Sequence, residues 1–539
     1  MGKRRPAGID AESLESELHP PGMPIPHRFS ISREGMVSTQ HYLATDAAIQ
    51  MLQAGGTAID AAVAAAWALG VCEPNASGIG GQTMLLIHLA KKRRTFALDG
   101  SSRAPNLTAR AALAPADFRR GYKATTVPST PAVLSYALSQ YGTMKLDQVM
   151  APAIEIAEKG YRITELQHRL MLRERKHLQA GTAAAFFLKD GKHTYKVGEL
   201  FRQPVLAQTL RLMAQNGVKE FYTGRIAELI HLDMMQNGGL IRLDDLAQRP
   251  QPIERRPVSC HFAGTRVFTF PPPGSGRTLI EMLNLMSHFP AKYRNPDTPE
   301  GALRLTYVIQ QAFRDRTDRP FDPSYYAQVS RKRMLSVEYA QTVARQIRRQ
   351  IKTAGETTHL SVMDRWGNAV ALTQSIERVY GACAATPELG FLYNNYMMAY
   401  EKDKMRHPYY LRPNAAPWAS VAPTIIFRGR HPWLTIGSPG SERIVSSILQ
   451  VLLRLGRQTP YEAVDAPRLH CSLEGTVSLE APRMRDDIPR LLEKHGFQID
   501  ERDSYSFYLG CVQLAMHQGN EFIGVADPRR DGSAGGPRK

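Results

Sequence analysis

Between positions 357 and 375 the sequence reads TTHLSVMDRWGNAVALTQS, two alternating stretches around Asp364-Arg365-Trp366-Gly367-Asn368. Alternation at period two marks strands, and Gly367 supplies the left-handed residue that closes a short hairpin loop. Pairing Asp364 with Asn368 sets Thr357 opposite Ser375. Opposed residues of an antiparallel pair project to one face with Cβ atoms ~4.5–5.5 Å apart, so two hydroxyls are predicted to share one site. A hydroxyl attacks an amide only when a base removes its proton. His359 shares the predicted face but sits ~6–7 Å further along the strand, which fits packing or hydrogen bonding better than catalysis. Taken alone, a Thr and a Ser on paired strands is ordinary strand composition.

The stretch TTHLSVMDRWGNAVALT resembles the processing site of γ-glutamyltransferases, where the chain cuts itself before the first Thr and that Thr becomes an N-terminal nucleophile. The likeness continues in order through GMVSTQHYLATDAAIQMLQAGGTAIDAAVA (35–64), VPSTPAVLSYAL (127–138), APAIEIAEKGY (151–161), FPPPGSG (270–276), VAPTIIF (421–427), GSPGSERI (437–444), DAPRLH (465–470) and GVADPRRDG (524–532). It implies an α/β fold, a four-layer αββα sandwich of the N-terminal nucleophile hydrolase type. It also implies a large subunit ending at Glu356, a small one beginning at Thr357, and no cofactor. The chemistry suits the position. A freed α-amino group has a pKa near ~8, so cleavage of the Glu356–Thr357 bond creates the base together with the nucleophile. The resemblance places Ser375 at a family Thr position beside the nucleophile. It places the backbone N–H groups of Gly440 and Ser441 where the family has a Gly-Gly oxyanion pair. The second donor survives the change to Ser provided the local backbone accommodates a side chain.

The γ-glutamyl clamp of the family is largely missing. Its carboxylate-binding Arg lies two residues after the Asp of a strand-end motif, and LDGSSRAP (98–105) puts Ser101 there, with Arg103 two positions on. The family's NNQMDDF-like motif reads NNYMMAY (394–400), which keeps Asn395, replaces the ammonium-binding acid by Ala399 and its polar neighbour by Tyr396. Of a Ser-Ser pair, Ala419 replaces the first and Ser420 remains, while Glu377 stands at a position that is often Asn. A desolvated ammonium or carboxylate without a partner costs several kcal/mol. The expected enzyme is therefore an amidohydrolase acting on a small acidic amide, with oxamate-type hydrolases of the family as a precedent. Arg103 and Arg378 are the candidate carboxylate partners because Arg pairs bidentately. Glu377, Asn395, Tyr396 and Ser420 are expected to line the substrate site. The competing readings are a γ-glutamyltransferase or glutathione hydrolase with a rearranged clamp, and an unprocessed binding relative.

The elements that must carry these residues follow from periodicity. Helices are predicted at 132–140, 151–159, 205–216, 227–237, 303–314 and 337–351, and the Ala-rich stretch ending near Leu69 reads as a buried helix that includes Trp67. Short strands are predicted at 358–363, 369–376, 423–427, 433–436, 476–479 and 510–516, and Met84 to Ile87 reads as a buried strand. Residues 1–34 are expected to be a disordered arm, 35–356 the large subunit and its helix-rich part of the fold, and 357–539 the small subunit.

Composition limits the alternatives. Of 539 residues, 43% are hydrophobic and 22% charged, which excludes disorder throughout the chain. The longest apolar run, 61–72, is too short for a bilayer, so no membrane span is expected, and a start without a secretory pattern points to the cytoplasm. Lys and Arg number 68 against 50 Asp and Glu, a net +18. The positive charge lies in short scattered clusters, with no nucleic-acid reading element. Gly78 to Gly81 lie before a strand instead of after one, and 271–276 lacks the Lys of a phosphate loop, so no nucleotide partner is expected. Five cysteines without a C-x-x-C pair, and no HExxH, argue against disulfides and a metal.

Overall fold

The computed structural model describes residues 27–318, 356–405 and 407–538. Two seven-stranded antiparallel sheets are stacked face to face. Strands of the first run in the order Phe29–Ser32, Glu521–Ala526, Gln513–Gln518, His431–Gly437, Thr424–Arg428, Thr265–Thr269, Val258–Phe262. Strands of the second run Ser533–Gly535, Gly35–Thr39, Glu356–Asp364, Ala369–Glu377, Gln82–Leu89, Arg94–Gly100, Ile253–Arg255. Met36, Met84, Leu86, Ile425, Phe427 and Ala515 fill the space between them. Ser38 stitches across it, donating to Gln513 Oε1 at 2.7 Å and to the Val525 carbonyl at 2.8 Å.

Helices cover both outer faces. Tyr42–Gln53, Ala58–Cys72, Thr130–Tyr141 and Leu146–Lys159 belong to the layer on the second sheet, and Gly276–Ser287, Pro299–Asp318 and Arg443–Arg454 to the layer on the first. The order is helix, sheet, sheet, helix, the expected αββα sandwich. Helices are not segregated from strands as the order of the predicted elements suggested, because both sheets draw strands from both sides of position 357. The early strands were hard to read: Val258–Phe262 and Ile253–Arg255 are short and rich in polar residues.

The predicted helices recur at Thr130–Tyr141, Leu146–Lys159, Pro204–Asn216, Arg225–Gln236 and Pro299–Asp318. The helix predicted at 337–351 lies outside the described residues. Within the proposed arm, 27–34 are ordered, since Phe29–Ser32 pairs with Glu521–Ala526 along its whole length. The reason is visible in the alternating FSIS, whose backbone completes a sheet edge. Among the described residues no helix is long and apolar enough to cross a membrane.

One helix fixes the strand of interest. Ala58–Cys72 is built mostly of Ala and buried along nearly its whole length, which lets it lie close against Glu356–Asp364. Its first N–H, on Ala58, donates to Asp364 Oδ2 at 2.8 Å. Asp364 also accepts from the N–H groups of Trp366 and Asn368, both at 2.9 Å, so one carboxylate closes the hairpin and caps the helix. Fifteen residues of helix span about 22 Å and nine of strand about 27 Å. The helix therefore returns to the strand's beginning, where Glu73 follows its last turn.

Candidate active site

The hairpin register follows the sequence reading from Thr358 opposite Gln374 to Met363 opposite Ala369. It breaks at Thr357. Glu356 pairs with Glu377, so Ser375 and Ile376 together face the single residue Thr357, and the expected direct opposition of Thr357 and Ser375 is replaced by a β-bulge. The cause is competition for backbone bonds. Ile376 donates to the Ala76 carbonyl at 3.2 Å and accepts from the Asn395 N–H at 3.2 Å, which takes it out of the hairpin ladder. Ser375 Oγ accepts the Glu377 N–H at 2.8 Å, and Glu377 turns the chain at φ +79. A left-handed Glu is strained, and such strain concentrates at sites.

Thr357 is buried, 3% exposed, at the start of an interior strand. Its carbonyl accepts from Arg530 Nη1 at 3.2 Å. Alternation sends Leu360 and Val362 into the helix-side core and His359, Ser361 and Met363 toward the other sheet. His359 Nδ1 lies 2.9 Å from Thr373 Oγ1 and Nε2 3.2 Å from Ser361 Oγ. Burial lowers its pKa to about 3, so the ring is neutral and both its nitrogens are occupied. A Cβ at Gly437 would run into this ring, and Gly437 therefore lets the end of His431–Gly437 approach the nucleophile strand.

That strand end leads into Ser438-Pro439-Gly440-Ser441 and then helix Arg443–Arg454. Gly440 has φ +114 and Ser441 φ +53. Ser441 thus occupies the small left-handed region open to side chains, which meets the condition set by its replacing a glycine. The Gly440 and Ser441 carbonyls accept from Arg443 and Ile444 at 3.0 and 3.1 Å, turning the loop so that these residues head a helix, where partial positive charge collects.

Tyr396 is buried beside Ser375. Its phenol reaches the side chains of Ser375 and Glu377 and lies beside Gln82, and burial, reinforced by the Glu377 carboxylate, pushes its pKa well above the usual range. Gln82 Oε1 accepts from the Ser102 N–H at 2.9 Å. Ser102 Oγ accepts from Thr126 Oγ1 at 2.8 Å, which also bonds Asn394 Oδ1 at 2.8 Å. This network of Gln82, Ser102, Thr126 and Asn394 escaped the sequence reading, since scattered small polar residues carry no spacing signal. Arg530 also escaped it, although the segment containing it was recognised.

The other candidates divide. Asn395 is fully buried, its carboxamide donating to the Arg119 carbonyl at 2.8 Å and to the Met398 sulfur at 3.5 Å and accepting the Arg378 N–H at 3.1 Å. Arg378 is half-buried, donates from Nε to Met398 sulfur at 3.2 Å, and has no carboxylate salt bridge among the described residues. Burial, then neighbouring Arg120, lowers its pKa. Ser101 is tied to Asp99 at 2.6 Å, and Asp99 to Arg255 at 2.8 Å. Arg103 lies near Tyr400 and lines a small cleft with Asn106, Asp245, Arg249 and Asn414, a set that does not include Thr357. Ser420 is half-buried in a segment laced to the 271–275 turn by Ala419 to Pro273 and Ser275 to Val421 bonds of 3.1 and 2.8 Å. Among the described residues no group of three or more His, Cys, Asp or Glu gathers as a metal centre requires.

The sequence matches the family model described as Gamma-glutamyltranspeptidase over residues 44–536. It is 32% identical to the glutathione hydrolase proenzyme of Escherichia coli (strain K12), covering 92% of this chain and 91% of that protein. It is 32% identical to the Acylase ACY 1 proenzyme of Pseudomonas sp. (strain V22), over 93% of each chain. The crystal structure of cephalosporin acylase from Bacillus halodurans superposes with a TM-score of 0.86 at 28% identity, over 96% of this chain and 99% of the other. With the αββα sandwich, these place the chain in the γ-glutamyltranspeptidase family of N-terminal-nucleophile hydrolases, enzymes whose relatives are made as proenzymes.

Proposed function

We propose that the chain is a self-processing threonine amidohydrolase that cuts itself between Glu356 and Thr357. The observation that carries this reading is the bulge that isolates a buried Thr357 at the head of an interior strand. In the precursor, Thr357 Oγ1 attacks the Glu356 carbonyl carbon, the C–N bond breaks, and the acyl group passes to oxygen as an ester. Water then hydrolyses the ester, releasing the Glu356 carboxylate and a free α-amine on Thr357. Residues 1–356, with 35–356 as the large subunit, then separate covalently from the small subunit, 357–539.

In turnover the neutral amine takes the Thr357 hydroxyl proton as oxygen attacks a substrate amide. It returns that proton to the leaving amine, and water hydrolyses the acyl-enzyme. The amides of Gly440 and Ser441, heading helix Arg443–Arg454, stabilise the oxyanion. Ser375 holds the nucleophile's surroundings through its bond to Glu377 N–H and its contact with Tyr396. His359 is a packing residue, as its neutral, fully engaged ring requires.

For the substrate we favour a small amide bearing a carboxylate, met by Arg378, with Glu377 and Tyr396 shaping the pocket. Arg378 supports this because its charge is half-buried and forms no carboxylate salt bridge among the described residues, its Nε donating to the Met398 thioether. Arg103, facing a separate cleft, is the weaker candidate. The relatives named glutathione hydrolase favour a second reading, a γ-glutamyl substrate held by a rearranged clamp. Denaturing mass spectrometry of wild type and T357A tests the first part. Two fragments meeting at 356/357 are expected only for wild type, and cleavage of T357A would sink the assignment. A substrate panel tests the second. Turnover of oxamate and related acidic amides is expected to exceed that of a γ-glutamyl anilide, and the reverse order selects the γ-glutamyl reading.

A further inference from the structure

The residue that touches Thr357 from the far end of the chain is Arg530. Its side chain is wholly buried, its Nη1 donates to the Thr357 carbonyl at 3.2 Å, and its guanidinium stacks 4.2 Å from the centroid of the Phe507 ring. An Arg keeps its charge when buried. Within one residue the nitrogen and carbonyl oxygen are roughly 2.7–3.6 Å apart, so this cation lies within about 7 Å of the Thr357 nitrogen. In the precursor that nitrogen is an amide. After cleavage it is an amine that must be neutral to act as a base.

We propose that Arg530 is a positioning residue that fixes the backbone of Thr357 and, by like-charge repulsion, weakens the proton affinity of its freed α-amine. The inference rests on the Thr357 reading above. Charged groups near it among the described residues temper or reinforce this field. Glu73, at the end of the Ala-rich helix, forms a buried salt bridge with Arg530 Nη1 at 3.7 Å and offsets part of the field, as does Asp531, the next residue, whose carboxylate accepts from the Thr164 hydroxyl at 2.7 Å. Asp527 is neutralised by Arg468 at 2.5 Å and Arg529 at 3.1 Å. Arg28 donates to the Arg530 carbonyl at 2.7 Å and adds positive charge. Glu377, on the adjoining strand, is engaged with the Tyr396 phenol, and His359 is neutral.

The consequence is a sign. An unperturbed α-amine with a pKa near ~8 is about 10% neutral at pH 7. Lowering it by about one unit raises that fraction to about half, roughly a fivefold gain in competent enzyme.

The test is the pH profile of kcat/KM for a chromogenic anilide that the processed wild type turns over, because its acid limb reports the base of the free enzyme. Wild type is expected to show an acid limb near pH 7 or below. R530M, once processed, is expected to show it about one unit higher, losing about fivefold at pH 7 and converging with wild type above pH 9, while R530K keeps the wild-type limb. A uniform loss across pH in R530M, with its limb unmoved, overturns the proposal. If R530M stays uncleaved, the wild-type limb decides: a value above about 7.5 overturns it, and one at or below 7 that R530K shares sustains it. Failure of the Thr357 reading shows differently, as a wild-type chain with no new N-terminus at Thr357.

Discussion

At residue scale the hairpin was the most legible part of the molecule, and its one misreading is instructive. Period-two alternation and the Gly367 loop fix the register of six consecutive pairs, but they cannot report that Ile376 finds better backbone partners at Ala76 and Asn395. A bulge costs no change in composition, so nothing in the residues 357–377 announces it. Ser375 is the residue most sensitive to it. S375A leaves the Glu377 N–H and the Tyr396 phenol short of a partner. It is expected to lower kcat by about 10- to 100-fold with little change in KM, whereas S375T keeps most activity. Steady-state kinetics on processed protein checks it, and an S375A enzyme at wild-type rate would remove Ser375 from the site. Gly437 gives a second test. G437A drives a methyl into the His359 ring and is expected to destabilise the fold by about 1–3 kcal/mol, read by urea unfolding.

At the scale of elements, the buried helix, the strand that begins near Thr357 and the Gly440-Ser441 loop act as one device. Asp364 caps helix Ala58–Cys72 while closing the hairpin loop, so helix and strand hold each other in place. D364A removes an acceptor for three backbone N–H groups and the Asn368 amide, and a loss of about 2–4 kcal/mol is expected, measured as a lower urea midpoint at unchanged slope. The helix itself was readable because twelve apolar residues with so much Ala have few other uses. Its partnership with Asp364 was not, since 306 residues separate donor from acceptor. For the loop proposed to bind the oxyanion, S441G preserves the amide at a left-handed position and is expected to retain activity within about twofold. G440A forces a side chain to φ +114 and is expected to cost about 1–3 kcal/mol together with most activity. Near-wild-type kinetics for G440A would contradict the role given to this loop.

Across the whole molecule, charge and burial set the response to acid. His41 and His359 are held by burial to a pKa of about 3 and His88 to about 4, against 6.5 for the free side chain. Below pH 6.5 the unfolded chain takes up protons that the folded chain refuses. Stability from these three is therefore complete above pH 6.5 and declines as pH falls toward 4, each contributing a slope of up to about 1.4 kcal/mol per pH unit. Urea unfolding across that range should show the decline, and H359Q should flatten it. An H359Q slope equal to wild type would mean that the ring is charged in the fold. The net charge of +18 takes its place on this larger scale too. Not every charge contributes to it: Arg468 and Arg529 lie fully buried with Asp527 and Glu480, joined by bonds of 2.5 to 3.1 Å, a cluster that cancels internally and leaves the excess to the rest of the molecule. The αββα layering was legible through resemblance, whereas the contribution of the first half to both sheets was not.

That sharing of strands has a kinetic meaning. A cut at 356/357 would leave two polypeptides that both contribute strands to both sheets, with the strand that begins at the new chain end lying between Gly35–Thr39 and Ala369–Glu377. The precursor folds as a unimolecular reaction, but the severed product can only refold by finding its mate. Its recovery from denaturant becomes second order, and dilution alone decides how much returns.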